Sequence, residues 1–234
     1  MRKIYFLFIA IALLSSCSKE SEPSFNLETY EGRVAYFEYD NQNNPDCDFC
    51  MVGDSLTQYY DLNKYFPNKS TKNRGIAGDS TTSLLNRLDK SIRGMNPKIT
   101  ILLIGANNVS TFQNDYELLV QKTMEYLPNT ELYLCSITPT CGAYQGYMSQ
   151  IKENNVYIQS IVTKHSLYYL DLYSSLIDNE TNLLRESYTV EGQHFNENGY
   201  LKITEQIQTI FFLAKSYLRY KNKVSASNII KKDL

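Results

Sequence analysis

Short, almost uninterrupted apolar runs alternate with amphipathic helical patterns along most of this 234-residue chain. Strands that are apolar throughout are typical of a parallel sheet covered by helices on both faces. Strands are predicted at 49–52, 73–76, 99–104, 131–137 and 167–172. The sequence therefore predicts a three-layer α/β/α sandwich with a doubly wound parallel sheet of about five strands.

Helices are predicted between these strands and at both ends of the fold. The first covers residues 27–39 and ends at a turn-rich stretch, 40–45. The last has apolar residues at helical spacing from Leu201 to Leu218, and the chain after Lys221 is polar. We therefore expect one domain over residues 27–220, followed by a polar tail at 221–234.

The charge balance argues against a nucleic-acid partner. The chain has 23 Lys and Arg against 25 Asp and Glu, and no long basic run. Neutralisation of phosphates by basic side chains is the main source of nucleic-acid affinity. We therefore expect no DNA or RNA partner, and no feature of the sequence indicates an oligomeric state.

The N-terminus is predicted to be an export signal. Arg2 and Lys3 precede an apolar run from Ile4 to Leu14, which is shorter than the roughly 20 residues that a membrane-spanning helix needs. The run ends in the sequence LSSC, and this resembles the bacterial lipobox, whose cysteine, here Cys17, is acylated after cleavage. An ordinary signal peptide with an incidental cysteine is the alternative.

We therefore expect residues 1–16 to be a lipoprotein signal peptide and residues 17–26 to be a lipidated tether. The tether sequence after the cysteine, SKESEPSFN, is small and polar and contains Pro23, as suits a solvated linker. Several acyl chains hold a protein firmly at a membrane. These features predict a lipid-anchored protein of the bacterial cell envelope, at the outer membrane and facing the periplasm or the surface.

Four polar motifs follow predicted strands or precede the closing helix, where parallel sheets bind their ligands. The first, GDSLT, places Ser55 at the start of a helix, in its positive dipole. The second, GIAGDST, contains Gly78, and the third, GANN, contains Asn107. In the fourth, EGQH, Glu191 can accept the Nδ1–H of His194. Taken singly, each motif also fits a helix cap, a glycine turn or a surface loop.

In this order the four motifs resemble those of the GDSL, or SGNH, hydrolase family. The resemblance covers nearly all of residues 27–218. The segments NRGIAGDST at 73–81 and GANN at 105–108 are most similar to the platelet-activating-factor acetylhydrolase-like and carbohydrate O-acetylesterase-like branch. The resemblance implies an SGNH-hydrolase, flavodoxin-like fold and an enzyme without a cofactor.

The resemblance also assigns roles to residues. Ser55 would be the nucleophile, His194 the general base and Glu191 the acid that orients the imidazole. The backbone N–H groups of Ser55 and Gly78 and the side-chain amide of Asn107 would form the oxyanion hole. The family usually has aspartate where this chain has Glu191, and many members have aspartate at the position of Asn108.

The implied function is a carboxylic ester hydrolase that removes short acyl groups, acetyl in particular, from carbohydrates. A small ester or an acylated glycan is the expected substrate, and the lipid anchor is the expected contact with the membrane. The alternatives are a lysophospholipase or thioesterase, and a surface module that binds glycans without catalysis. The chain contains no Gly-x-Ser-x-Gly elbow, which excludes the α/β-hydrolase fold.

Other reactive side chains are predicted to be structural. Asp54 is expected to hold the turn before Ser55 by hydrogen bonds to nearby backbone. His165 lies at a predicted helix end, where its ring interacts favourably with the helix C-terminus. The cysteines lack ligand-spaced histidines, so buried thiols or disulfides are expected and no metal site; these cysteines are Cys47, Cys50, Cys135 and Cys141.

Overall fold

The computed structural model describes residues 23–212. The predicted signal peptide at 1–16, Cys17 with most of the tether, and the tail at 221–234 lie outside the described residues. Within residues 23–212, no helix combines the length and the apolar character needed to cross a bilayer.

The sheet has five parallel strands in the order β2-β1-β3-β4-β5. The strands are β1 Asp46–Gly53, β2 Thr71–Gly75, β3 Asn96–Leu103, β4 Glu131–Cys135 and β5 Tyr168–Leu170. This is the strand order of flavodoxin-like sheets. Gly53 pairs with both Gly75 and Leu103, so the carboxyl ends of the three strands that precede the first three motifs lie level. The predicted α/β sandwich with a doubly wound parallel sheet is confirmed.

Helices connect the strands and close the fold. Those before β4 are α1 Tyr30–Asn43, α2 Ser55–Gln58, α3 Leu62–Tyr65, α4 Thr81–Ile92 and α5 Gln113–Tyr126. Those after it are α6 Met148–His165, α7 Tyr173–Leu176 and a final helix, α8, over 197–212 of the described chain. A 3₁₀ helix, Gly142–Tyr147, precedes α6.

Alternate residues of each strand face opposite layers, as the period of a strand requires. Cys50 and Val52 of β1 belong to the core beneath α4, α5 and α6. Phe49 and Met51 belong to the core beneath α2, α3, α7 and α8. Both faces of the sheet are therefore covered, which explains why its strands are apolar throughout.

The first helix differs from its predicted span of 27–39, because α1 begins at Tyr30 and continues into the expected turn at 40–45 as far as Asn43. Asp40 and Asn41 favour turns, but both are buried here and have partners on other elements. The Asp40 carboxylate lies 2.5 Å from the guanidinium of Arg74, and Asn41 donates to the carbonyl of Lys90 at 2.9 Å. These tertiary contacts outweigh the local preference of the sequence.

The last residues of the predicted tether contact the folded domain. Phe25 is half-buried, and its ring lies 5.8 Å from that of Tyr36 and 5.3 Å from that of Tyr39 between centroids. Both tyrosines belong to α1. Phe25, which belongs to the predicted tether, therefore packs on the folded domain.

Candidate active site

The nucleophile candidate stands on a tight turn between β1 and α2. Ser55 is the first residue of α2, and Asp54 caps the helix by accepting the N–H of Leu56 at 2.9 Å. Gly53 is required before the turn, because a Cβ there would lie 2.0 Å from the carbonyl oxygen of Leu103. Asp54 therefore has the structural role predicted for it.

The imidazole of His194 reaches Ser55 from a loop 139 residues further along the chain. Its Nε2 lies 2.9 Å from the Ser55 Oγ, a normal hydrogen-bonding distance. The ring of Tyr59, one helical turn after Ser55, packs edge-on against the imidazole with 5.8 Å between centroids. With the ring proton on Nδ1, Nε2 is free to accept the proton of the Ser55 hydroxyl.

Glu191 holds His194 from the other side. Its Oε1 lies 2.5 Å from Nδ1 of the ring and also accepts the backbone N–H of His194 at 3.1 Å. Between the two residues, Gly192 has a φ of +106°, in the left-handed region that favours glycine. Glutamate therefore occupies the position expected of the acid.

The loop that carries Glu191 and His194 is fixed by hydrogen bonds. The carbonyl of His194 accepts from the Val190 N–H at 2.9 Å and from the Thr189 hydroxyl at 2.7 Å. The carbonyl of Gly192 accepts the N–H of Cys141 at 2.9 Å. These bonds anchor the imidazole to the structure preceding α6.

The candidate oxyanion groups lie on loops beside Ser55. Gly78 is exposed with a φ of +84°, and a Cβ built on it would meet no atom within 4 Å. Within residues 23–212, no protein acceptor takes the backbone N–H of Ser55 or of Gly78. Both donors therefore remain available to a ligand.

Asn107 is bonded to both neighbouring loops. Its Nδ2 donates to the carbonyl of Asp79 at 3.0 Å, and its Oδ1 lies 3.5 Å from the Nε2 of Gln193. An amide nitrogen carries two hydrogens, so one remains for a ligand. The next residue, Asn108, binds the start of α4, donating to the Thr81 hydroxyl at 2.7 Å and accepting the Thr81 N–H at 3.2 Å.

A buried ion pair lies beneath these loops and was not predicted from the sequence. The Nε of Arg87 donates to the Asp79 carboxylate at 2.7 Å, and both side chains are at most 3% exposed. The available signal was the position of Arg87 on the same face of α4 as the apolar residues Leu84 and Leu88. A charged residue on a buried helix face indicates a buried partner.

Burial also changes the ionisation of Asp54. Its side chain is buried, and desolvation raises its pKa from 3.8 to about 7. The hydrogen bond from the Leu56 N–H opposes this increase, and the charge of Asp79 adds to it. The turn that carries Ser55 thus contains a carboxyl group that titrates near neutrality.

His165 and the cysteines lie outside this arrangement. His165 is in the last turn of α6, as predicted, and its Nε2 lies 2.9 Å from Glu117 of α5. The four cysteines of the described chain are buried free thiols, Cys47, Cys50, Cys135 and Cys141. Of the two alternatives left open by the sequence, buried thiols and disulfides, the described residues show buried thiols.

The sequence and the fold match known hydrolases. A profile of the GDSL-like Lipase/Acylhydrolase family matches residues 51–202. A Streptococcus pneumoniae protein provisionally described as a platelet activating factor has 25% identity and a TM-score of 0.70, over 79% of this chain and 93% of its own. A GDSL-like lipase from Bacteroides thetaiotaomicron has 17% identity and a TM-score of 0.65, over 77% and 98%.

Two further proteins also match this chain. An acetyl xylan esterase from Geobacillus stearothermophilus has 15% identity and a TM-score of 0.57, over 70% of this chain and 93% of its own. An N-acylneuraminate cytidylyltransferase from Escherichia coli is 26% identical over 171 residues. That match spans 70% of this chain but only 40% of the relative's length.

The family profile covers well over half of the chain and includes Ser55, Gly78, Asn107 and His194. The chain therefore belongs to the GDSL-like lipase/acylhydrolase family. It is a hydrolase of ester bonds, with the fold that the sequence predicted.

Proposed function

We propose that the protein is a serine esterase that removes short acyl groups, principally acetyl, from carbohydrates through a Ser55–His194–Glu191 triad. The observation that carries the proposal is the continuous hydrogen-bonded series from the Ser55 hydroxyl through the imidazole to the Glu191 carboxylate. Ser55 lies 139 residues before His194, and the two segments meet at the carboxyl ends of the strands.

The first half of the reaction acylates the serine. His194 Nε2 takes the hydroxyl proton while Ser55 Oγ attacks the ester carbonyl, and Glu191 stabilises the imidazolium that forms. The negative oxygen of the tetrahedral intermediate accepts hydrogen bonds from the N–H groups of Ser55 and Gly78 and from the Asn107 amide. The imidazolium then protonates the departing alcohol, which leaves an acyl group on Ser55.

Water completes the cycle. His194 takes a proton from water, the resulting hydroxide attacks the acyl-enzyme, and a second tetrahedral intermediate uses the same three donors. Its collapse releases the carboxylic acid and returns the proton to Ser55. These steps use no metal or cofactor, because His194 transfers each proton. The backbone N–H groups and the Asn107 amide stabilise the negative oxygen.

The substrate class is proposed from the surroundings of the serine and from the relatives. Tyr59 is 55% exposed beside His194 and provides an aromatic surface for a sugar ring. One structural neighbour is an acetyl xylan esterase, which shares the fold. Both features favour an acetylated glycan over a long-chain lipid.

We also propose that the enzyme works at the bacterial cell envelope, held there by acyl groups on Cys17. The proposal rests on the charged start, the short apolar run and the LSSC sequence. Metabolic labelling with an alkynyl fatty acid, compared between the natural chain and Cys17→Ala, tests it. Equal labelling of the two forms would reject the anchor.

Turnover of p-nitrophenyl esters from acetate to octanoate tests the reaction and the chain length together. We expect fastest turnover of acetate, and loss of activity in Ser55→Ala and in His194→Ala. Two matched controls, Ser149→Ala on the exposed face of α6 and His165→Ala, should retain activity. Activity in Ser55→Ala would reject the mechanism, and preference for octanoate would favour a lysophospholipase or thioesterase.

Acetate release from acetylated glycans then tests the acceptor. Release from an acetylated glycan, lost in Ser55→Ala, supports the proposal. Glycan binding without turnover of any ester would instead identify a non-catalytic binding module.

A further inference from the structure

A Cβ built on Gly78 would meet no atom within 4 Å, yet the Gly78 N–H is proposed to bind the oxyanion, so its position depends on its neighbours in the loop. Its neighbour Asp79 is 2% exposed and anchored by three bonds. The N–H of Asp79 donates to the carbonyl of Ile76 at 3.3 Å, and its own carbonyl accepts the Asn107 amide at 3.0 Å. Its carboxylate accepts from Arg87 at 2.7 Å.

Arg87 extends this anchoring to the nucleophile turn. Its Nη2 donates to the carbonyl of Gly53 at 3.1 Å and to the carbonyl of Arg74 at 3.0 Å. Its Nη1 donates to the Ser91 hydroxyl at 2.7 Å, one turn further along α4. The rigid, planar guanidinium of Arg87 thus links the ends of β1 and β2 to the loop that carries Gly78.

We propose that Asp79 and Arg87 are positioning residues for oxyanion stabilisation. The inference rests on the proposed function, because it assumes that Ser55, Gly78 and Asn107 bind the negative oxygen. Each of these groups is linked closely to the pair. Arg87 binds the carbonyl of Gly53, which lies two residues before Ser55. Gly78 directly precedes Asp79, and the Asn107 amide donates to the Asp79 carbonyl. Among the described residues, neither Asp79 nor Arg87 forms a hydrogen bond or an ion pair with His194.

This role has a kinetic signature. Oxyanion bonds strengthen as charge develops, so a misplaced donor lowers kcat while leaving KM nearly unchanged. Removal of one oxyanion donor costs about 10²- to 10³-fold in kcat, and a displaced donor should cost less, about 10- to 100-fold.

The first test compares Asp79→Asn with Asp40→Asn. Asp40 provides a matched control, because it is also a buried carboxylate paired with an arginine, Arg74, but it touches no oxyanion loop. We expect the kcat for p-nitrophenyl acetate to fall about 10- to 100-fold in Asp79→Asn and to change less than about 2-fold in Asp40→Asn. Equal kcat values in the two variants would overturn the positioning role.

A second variant allows for poor folding of the first, since an unpaired buried charge is strongly destabilising. The double variant Asp79→Leu/Arg87→Met replaces the pair with apolar side chains, which proteins often tolerate without loss of stability. We expect a cooperative thermal transition together with the same loss of kcat. A folded double variant with wild-type kcat would overturn the proposal.

A boronic acid probes the oxyanion site directly. It adds to Ser55 Oγ with a new boron–oxygen bond while the hydroxyl proton moves to His194, and the boron becomes a tetrahedral anion. We expect its Kd to rise in Asp79→Asn by about the factor lost from kcat/KM. An unchanged Kd would contradict the positioning role. If the wild-type enzyme turns over no ester, the proposed function and this inference both fail. If the wild-type enzyme is active and the Asp79 variants are equally active, the inference alone fails.

Discussion

Glu191 accepts two hydrogen bonds from His194 with the same oxygen, one from the backbone N–H at 3.1 Å and one from the ring Nδ1 at 2.5 Å. The carboxylate cannot rotate away without losing both. The contact therefore fixes the position of the ring and places the proton on Nδ1, which leaves Nε2 facing Ser55 as a base.

Glu191→Ala should reduce kcat less than His194→Ala does. The acid orients and stabilises the imidazolium, whereas the imidazole itself transfers the proton. Loss of a fully buried acid costs about 10⁴-fold, but the Glu191 side chain is 37% exposed, so water partly replaces it. We expect a loss of about 10²-fold for acetyl ester turnover. Equal losses in the two variants would contradict this division of roles.

Gly192→Ala should disrupt the same loop through its backbone. Gly192 has a φ of +106°, and a Cβ there would lie 2.4 Å from the carbonyl oxygen of Cys141. We expect a loss of about 1–3 kcal/mol in the free energy of unfolding and a marked fall in kcat. The control is Gly146→Ala, where a Cβ meets no atom within 4 Å. Similar behaviour of the two variants in denaturation and turnover would show that the loop tolerates the change.

Asp54 should make the stability of the protein depend on pH. Its pKa is raised from 3.8 to about 7, so between these values the folded state holds a proton that the unfolded state has lost. The free energy of unfolding therefore falls as pH rises through this window, and the penalty is complete above it.

Asp54→Asn isolates this effect, because asparagine also caps a helix but does not ionise. We expect the free energy of unfolding of the variant, relative to that of wild type, to increase by more than about 1 kcal/mol as pH rises from about 4 to about 8. Urea denaturation at both pH values measures the difference. A difference that does not change with pH would contradict the raised pKa.

Tyr59 should contribute to recognition of a glycan but not to the chemistry. If its exposed ring stacks on a sugar, Tyr59→Ala should raise KM for an acetylated glycan about 2- to 10-fold, while Tyr59→Phe, which keeps the ring, should not. Turnover of p-nitrophenyl acetate, which has no sugar, serves as the control. A KM for the glycan that is unchanged in Tyr59→Ala would remove Tyr59 from the binding surface.

The sequence was sufficient to predict the layered fold because buried parallel strands leave a strong apolar signal. It also predicted a site made of Ser55, Gly78, Asn107, Glu191 and His194, since each lies in a short motif next to a strand or helix end. These positions are local features of the chain, and local features are what a single sequence records well.

The contacts that join the motifs could not be predicted, because they depend on tertiary packing. The continuation of α1 to Asn43 requires Arg74, which lies 34 residues from Asp40. The bonds of Arg87 to Gly53 and Arg74 likewise cross from α4 to two strands. Partners so distant in sequence are set by the fold, and they override the local preference for a turn or an exposed charge.

The most direct test of the central claim is to look for the acyl group on Ser55. The enzyme is mixed with an acetyl ester, quenched in acid within the first turnover, digested and examined by mass spectrometry. We predict an acetyl group on the peptide that contains Ser55, retained longer in Glu191→Ala and absent from Ser55→Ala. Rapid ester turnover with no acetylated Ser55 at any quench time, or with the acetyl group on another residue, would contradict the account.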